Sequence, residues 1–408
     1  MGAKKKHIDI NLDELLSLDD KRRELMTAME TKRAEQNAFS EKIAKAATPE
    51  ERQAMISEMK SVKEAFQKEE EALKEILAKW QSLMVQVPNI PDMTVPEGDS
   101  DKQNVETKTW GEIPKFDFEP KDHIDLMNAL DMVDTERGAK IAGFRGYILK
   151  NDAVLLNFAL WQYVMETFVG KGFEPMMVPS VVRRDLLVGT GYLPQGEEDL
   201  YKTQDNTYLV GTGEVPTMGY FADEVIDKKD LPKKMLAFST CFRREAGSHG
   251  KDTKGIFRVH EFFKFEQVIL CEASHQTSVN FHEELTKNAE DLLQALNLPY
   301  HVVLNCGGDL GLGQVKKYDL EVWLPSQKAY RETHSSSYFH DFQTRRLNIR
   351  YRDDDGKLKF VHSLNNTAAA NTRILIAIIE NYQQADGSIK VPEVLKKYIG
   401  KDVLGKRQ

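Results

Sequence analysis

Between Leu15 and Val87 the chain has no glycine and a single proline, Pro49, and it is dense in Glu, Lys and Ala. Residues of this kind lose little side-chain freedom in a helix, and nothing interrupts the backbone hydrogen bonding. Apolar residues follow a 3-4 spacing: Leu15, Leu18, Leu25, Met29, Phe39 and Ile43, then Met59, Val62, Phe66, Leu73, Ile76, Trp80, Leu83 and Val87. Between the two runs "TPEE" is a helix start, with Thr48 as N-cap, Pro49 at the first helical position and Glu51 closing a capping box. Two long helices with so short a break are expected to fold back as an antiparallel coiled-coil hairpin. Arg22, Lys32, Gln36 and Glu69 stand at seam positions, so the seam is expected to be imperfect. On these residues alone a spacer or dimerisation coiled coil fits as well as a nucleic-acid-binding arm, because basic and acidic residues nearly cancel.

Pro88, Pro91, Pro96, Pro114 and Pro120 punctuate the stretch that follows, which reads as a linker and entry segment. From His123 onward, strand-like runs ("YLVGTGEVP", "KMLAFSTCFRRE", "GIFRVHEFFKFEQVIL", "YHVVLNC", "KYDLEVWLP") do not alternate regularly with helices. The expected fold class is therefore α+β, a mostly antiparallel sheet flanked by helices, rather than a βαβ fold. Three regions result: 1–87 as a helical hairpin, 88–122 as linker and 123–408 as the main domain.

A net charge of −8 gives no bulk support for nucleic-acid binding, which would need a local basic face. Cys241, Cys271 and Cys306 form no C-x-x-C pair, which points to a reducing compartment and gives no zinc signature. "MGAKKKHIDI" has no apolar core of a secretory signal, and Lys6 stands where myristoylation of Gly2 wants Ser or Thr. No aliphatic run approaches the length of a membrane span. The expectation is a cytoplasmic protein.

The most informative stretch is "FRREAGSHGKDTKGIFRVHEFFKFE". If residues 257–266 form one strand, Arg258, His260, Phe262, Lys264 and Glu266 share a face and Phe257, Val259, Phe263 and Phe265 share the other. Arg243 and Glu245 likewise share a face on the strand before. A merely amphipathic strand does not account for an aromatic on the charged face beside a neighbouring Arg-x-Glu. The loop "AGSHGKDTKG" is basic enough to touch a phosphate backbone. Lys251 precedes Asp252 rather than Ser or Thr, and "GGDLGLG" is not G-x-G-x-x-G, so a nucleotide site here is neither a P-loop nor a Rossmann fold.

This stretch resembles motif 2 of class II aminoacyl-tRNA synthetases, and in particular of the seryl-tRNA synthetase family. Other stretches resemble that family in order: "GFEPMMVPSVV" its motif 1 around Pro179, "TGEVP" its T-A-E-x-P, "KKYDLEVWLPSQKAYRE" its central strands, and "HDFQTRRLNIRYRD" with "FVHSLNNTAAANTRILIAIIE" its motif 3 region. The resemblance implies activation of L-serine with ATP to seryl-adenylate and transfer to the terminal adenosine of tRNA(Ser), and of tRNA(Sec) where one exists. It implies a homodimer built on motif 1, an arm that grips the tRNA, Mg²⁺ with ATP, no zinc and no membrane.

Roles follow from the resemblance residue by residue. Arg243 should clamp the α-phosphate and the serine carboxylate, and Arg373 should face the adenine near the γ-phosphate; these two are the catalytic pair. Glu245 should accept from the adenine amino group, Phe262 should stack on the adenine, and Arg258 should hold the γ-phosphate. Val259 lies on the other face, so any part it plays is through its backbone. Glu332 and Ser335 match E-x-x-S, whose oxygens approach Mg²⁺ and the phosphates; on residues alone Glu332 reads equally as an ion-pair partner of an arginine. Serine falls to Thr212, Glu214, Arg243, Glu266, Asn365 and Thr367, the last also readable as a helix N-cap.

Gly213 replaces the usual alanine, and "THSSSYFHDFQ" departs from the commoner form through His334 and His340, which read as structural. The family usually carries a longer segment ahead of "KKKHIDINLDELLSLD", so packing at the start of the arm is where a difference is expected. Two rivals are a paralogue that loads a carrier protein, disfavoured by the long arm and the cysteine spacing, and an inactive interaction protein, disfavoured because Arg243, Glu245, Glu266, Glu332 and Arg373 are all present.

Overall fold

A computed structural model describes residues 2–45, 48–247, 250 and 252–405. They form two compact units, Ile8–Pro88 and a second made of Met1–His7 with Asn89–Gln408.

The first unit is a pair of helices, α1 (Leu12–Ala44) and α2 (Pro49–Met84). At about 1.5 Å per residue each is roughly 50 Å long. Asn11 caps α1 by accepting from the Glu14 N–H, and Thr48 caps α2 by accepting from the Glu51 N–H at 3.2 Å. Arg22 lies 4.8 Å over the Trp80 ring and Lys32 pairs with Glu69, so the helices run antiparallel. Three of the four polar seam residues are thus used: Arg22 also bonds Asp19, while Lys32 and Glu69 join the two helices. The buried Nε2 of Gln36 has no hydrogen-bond partner among the described residues.

The second unit is organised by an eight-stranded sheet. Its strands are β1 (Val105–Trp110), β2 (Glu174–Met177), β3 (Lys233–Phe242), β4 (Glu261–Cys271), β5 (Tyr300–Leu304), β6 (Lys316–Leu324), β7 (Ala329–His340) and β8 (His362–Ala370), in the order β1-β5-β6-β7-β8-β4-β3-β2. Only the β2–β3 pair is parallel. The proline-rich region therefore contributes an edge strand, β1, as well as loops. "YLVGTGEVP" is not one strand: Thr207–Leu209 is extended, and Glu214–Tyr220 is a short helix. Pro216 is tolerated there because the first turn of a helix leaves its N–H groups without intrahelical acceptors.

The longer helices of the unit are α3 (Asp152–Gly170), α4 (His275–Ala295) and α6 (Asn371–Asn381), and the short α5 (Phe342–Arg346) precedes β8. Leu160 and Val164 of α3, Leu292 of α4 and Ile376 of α6 join Phe265 and Ile269 of β4 in one core. The other face of β4 changes character along its length. Lys264 and Glu266 line a cavity, whereas Val268 and Leu270 enter a second, smaller core with Met218 and Ile349. The period of two thus sets charged groups directly beside a packed apolar wall.

Candidate active site

One cavity of about 360 Å³ opens on the sheet, and every candidate residue named from the sequence lines it: Thr212, Glu214, Arg243, Glu245, Arg258, Val259, Phe262, Glu266, Glu332, Ser335, Asn365, Thr367 and Arg373. They come from five stretches, 212–214, 243–245, 258–266, 332–335 and 365–373. β4 supplies Phe262 and Glu266, β7 supplies Glu332 and Ser335, β8 supplies Asn365 and Thr367, and the first turn of α6 supplies Arg373. Thr367 lies within β8, so it is not an N-cap; Ala370 holds that position.

Two expectations about strands are corrected. β4 begins only at Glu261, so Arg258 and Val259 come from the irregular segment before it. β3 ends at Phe242; Arg243 N–H still donates to His260 O at 2.9 Å, but Glu245 has φ +56° and lies off the strand. The chain leaves the ladder because the Arg244 N–H turns to Asp199 O at 2.9 Å instead of continuing the pairing. Val259 is buried although it lies ahead of the strand. Ser248, His249 and Lys251 of the basic loop lie outside the described residues.

Three guanidinium groups line the cavity. Arg243 donates from Nε and Nη2 to Gly211 O, both at 3.3 Å, and lies 5.3 Å over the Phe262 ring. Arg373 donates to the Glu332 backbone oxygen at 2.9 Å, lies 3.3 Å from its carboxylate, and sits 4.8 Å over Phe257. Burial would raise the Glu332 carboxyl, but the charges of Arg373, Lys317 and Arg243 prevail and hold it low. Arg258 pairs with Glu245 at 2.7 Å.

Two buried carboxylates, Glu214 and Glu266, line the cavity as well. Glu214 accepts from Gln343 Nε2 at 2.5 Å and from the Tyr192 hydroxyl at 2.8 Å. Burial is the chief influence on Glu214, opposed by those two bonds and reinforced by the Glu266 charge, and its pKa is pushed up to about 7. Lys264 donates to Thr212 Oγ1 at 2.9 Å and forms an ion pair with Glu266. Oε2 is the Glu266 oxygen that faces that ammonium, and both side chains are buried.

Gln343, Tyr192 and Lys264 are functional candidates that the sequence reading did not assign. Lys264 was visible as an alternating charge, and Gln343 stands within the "HDFQTRR" stretch, but their partners are distant in sequence. His334 is buried between Thr333 Oγ1 (2.8 Å) and Ala368 O (3.1 Å), and burial holds its pKa down at about 4, so it is a neutral packing residue. His340, at the end of β7, meets the His275 ring edge-on and the His362 ring at a tilt.

The sheet and the cavity are those of a class II aminoacyl-tRNA synthetase: residues 198–382 match the family described as "tRNA synthetase class II core domain (G, H, P, S and T)" and residues 2–91 match "Seryl-tRNA synthetase N-terminal domain". The chain belongs to the seryl-tRNA synthetase family. A serine–tRNA ligase of Deinococcus radiodurans is 43% identical over 402 residues, 98% of this chain and 94% of that protein. Among solved structures, the seryl-tRNA synthetase of Pyrococcus horikoshii complexed with ATP superposes with a TM-score of 0.87 at 37% identity, covering 97% of this chain and 93% of that one. The cytoplasmic serine–tRNA ligase of Naegleria fowleri in complex with AMP gives 0.85 at 32% identity, covering 100% and 95%.

Proposed function

We propose that this chain activates L-serine with ATP to seryl-adenylate and transfers the seryl group to the 3′-terminal adenosine of tRNA(Ser). The single observation that carries this reading is the make-up of one cavity: the guanidinium groups of Arg243, Arg258 and Arg373, which can hold phosphates, share it with the buried carboxylates of Glu214 and Glu266, suited to an ammonium. The serine carboxylate oxygen attacks the α-phosphorus in line, and pyrophosphate leaves. Arg243 is assigned to the α-phosphate and the serine carboxylate, where it offsets the charge that grows on the phosphate. Glu214, Glu266 and Thr212 take the ammonium and hydroxyl. A site built to hydrogen-bond a hydroxyl rejects alanine by a factor on the order of 10⁴, because its polar groups would be left unpaired.

Magnesium fits the donor set. Glu332 and Ser335 line the cavity and offer hard oxygens, the ligand type that Mg²⁺ takes together with phosphate oxygens. No three His, Cys, Asp or Glu side chains converge on a point among the described residues, which suits an ion that keeps waters and relies on the nucleotide's phosphates. When bound, Mg²⁺ supplies charge neutralisation to those phosphates.

A homodimer is part of the reading. Leu155, Phe158, Met165 and Val169 make an exposed apolar stripe on α3, next to exposed Met177 and Val181 of the motif 1 region. Their positions fall on one side of a helix whose opposite side is already buried, the pattern of a covered interface. The arm is assigned to tRNA, with tRNA(Sec) as a further substrate where one exists, and the working place is the cytoplasm, supported by three buried free cysteines. No described helix is long and apolar enough to cross a membrane.

The test is serine-dependent ATP–pyrophosphate exchange, repeated with alanine, threonine and glycine, and then charging of a tRNA(Ser) transcript. Exchange with serine alone supports the reading; exchange with none of the four amino acids removes it.

A further inference from the structure

The loop Gly311–Gln314 forms one wall of the cavity, against Ser337 of β7. It is a tight turn: the Gln314 N–H donates to Gly311 O at 3.2 Å, and the Gln314 side chain accepts from the Gly311 N–H at 2.6 Å and donates to Ser337 Oγ at 2.8 Å. Gly313 is pressed on α5, since a Cβ there would meet the Phe342 ring at 2.6 Å. The next residue of α5 is Gln343, which holds Glu214. The loop therefore abuts the same short helix that orients the carboxylate assigned to the serine ammonium.

Two residues remote in sequence grip this loop from behind. Lys6, only 4% exposed, donates from Nζ to the backbone oxygens of Gly311 (3.0 Å), Leu312 (2.8 Å) and Gln314 (2.6 Å). Asn89 donates from its backbone to Leu312 O at 2.9 Å, and from Nδ2 to Gly313 O at 3.1 Å and Phe339 O at 2.7 Å. An ammonium buried against three carbonyls uses all of its donors on one turn. Burying it is costly, and lowers the Lys6 pKa to about 7, so a lysine kept there points to a demand for that turn. Lys6 and Asn89 stand close before and just after residues 8–88, the hairpin unit.

We propose that Lys6 and Asn89 are positioning residues that clamp Gly311–Gln314 as the wall on the serine side of the cavity, so that serine affinity depends on side chains flanking the arm. This rests on the serine-activation reading. The loop has two glycines, and without the clamp its carbonyls lose their donors and the turn samples other conformations.

The test uses the full chain as Lys6→Met and Asn89→Ala, with two readouts. In ligand-free protein, hydrogen exchange at the amides of residues 311–315 should quicken at least tenfold in both variants while the rest of the sheet stays protected. In pyrophosphate exchange, the KM for serine should rise at least tenfold, with kcat within about threefold and the KM for ATP little changed. Exchange at 311–315 identical to wild type in both folded variants overturns the clamp, whatever the enzyme's activity. A loosened loop with an unmoved serine KM overturns its role as a substrate wall. The amide readout needs no substrate, so its failure is distinct from a failure of the serine reading.

Discussion

Arg258 Nη1 lies 2.7 Å from Glu245 Oε2, although the two are assigned to opposite ends of the nucleotide, the γ-phosphate and the adenine. Only a bent nucleotide brings those ends within reach of one such pair, so the contact favours a kinked ATP over an extended one. Arg258→Ala is expected to raise the KM for ATP about ten- to a hundred-fold, from a charged hydrogen bond of ~1.5–3 kcal/mol. Initial-rate exchange at varied ATP measures this; an unchanged ATP KM with a raised serine KM would place Arg258 at the wrong end.

Glu266 shares its buried position with Lys264. Glu266→Gln keeps the volume and removes the charge that an ammonium needs, so seryl-adenylate formation should fall at least a hundred-fold. Thermal unfolding of the variant shows whether the fold survives. Adenylate formed at a near-normal rate by a folded Glu266→Gln protein would show that the serine pocket lies elsewhere.

The carboxyl of Glu214 has its pKa pushed up to about 7, first by burial. Below that pH the group is protonated and cannot pair with an ammonium. Serine binding favours the ionised form, so the KM for serine should rise as pH falls below 7, approaching tenfold per unit. The KM for serine measured from pH 5.5 to 8 reads this directly, and a flat profile counts against Glu214 as an ammonium partner. Gln343→Ala removes a bond that lowers the pKa and should move the profile to higher pH.

Gly255 has φ +78°, and a Cβ there would lie 2.2 Å from His123 Nε2, the atom that accepts from the Ile256 N–H at 3.3 Å. Gly255→Ala therefore meets both a left-handed backbone and a buried ring held by Glu380. A loss of about 1–3 kcal/mol is expected, seen as a lower melting temperature, with the ATP KM raised because Phe257 and Arg258 follow directly. A variant as stable as wild type would mean that His123 moves aside freely.

Deleting residues 12–87 leaves Lys6 and Asn89 in the chain. Pyrophosphate exchange should persist and tRNA charging should be lost. Charging at wild-type rates by the deletion variant would remove the arm from tRNA recognition.

Much of this was legible from local pattern. The hairpin follows from helix-forming residues with a 3-4 apolar spacing and one capped break at Thr48, because helical hydrogen bonds and caps join near neighbours in the chain. The motif residues were legible because their types and order, from Arg243 to Arg373, match a family's. Strand ends were not: β4 begins at Glu261 because Arg258 is drawn to Glu245, and sequence alternation carries no information about that pairing.

The amino-acid sequence alone determined the helical arm and the mostly antiparallel sheet, since each depends on residue type and short-range period, and its likeness to a family named the side chains that line one cavity. Tertiary structure alone decided that Gln343 and Tyr192 hold Glu214, that Lys264 faces Glu266 on the cavity side, and that Lys6 reaches the loop at Gly311. Those contacts depend on burial and on strand order, which bring together segments up to 305 residues apart.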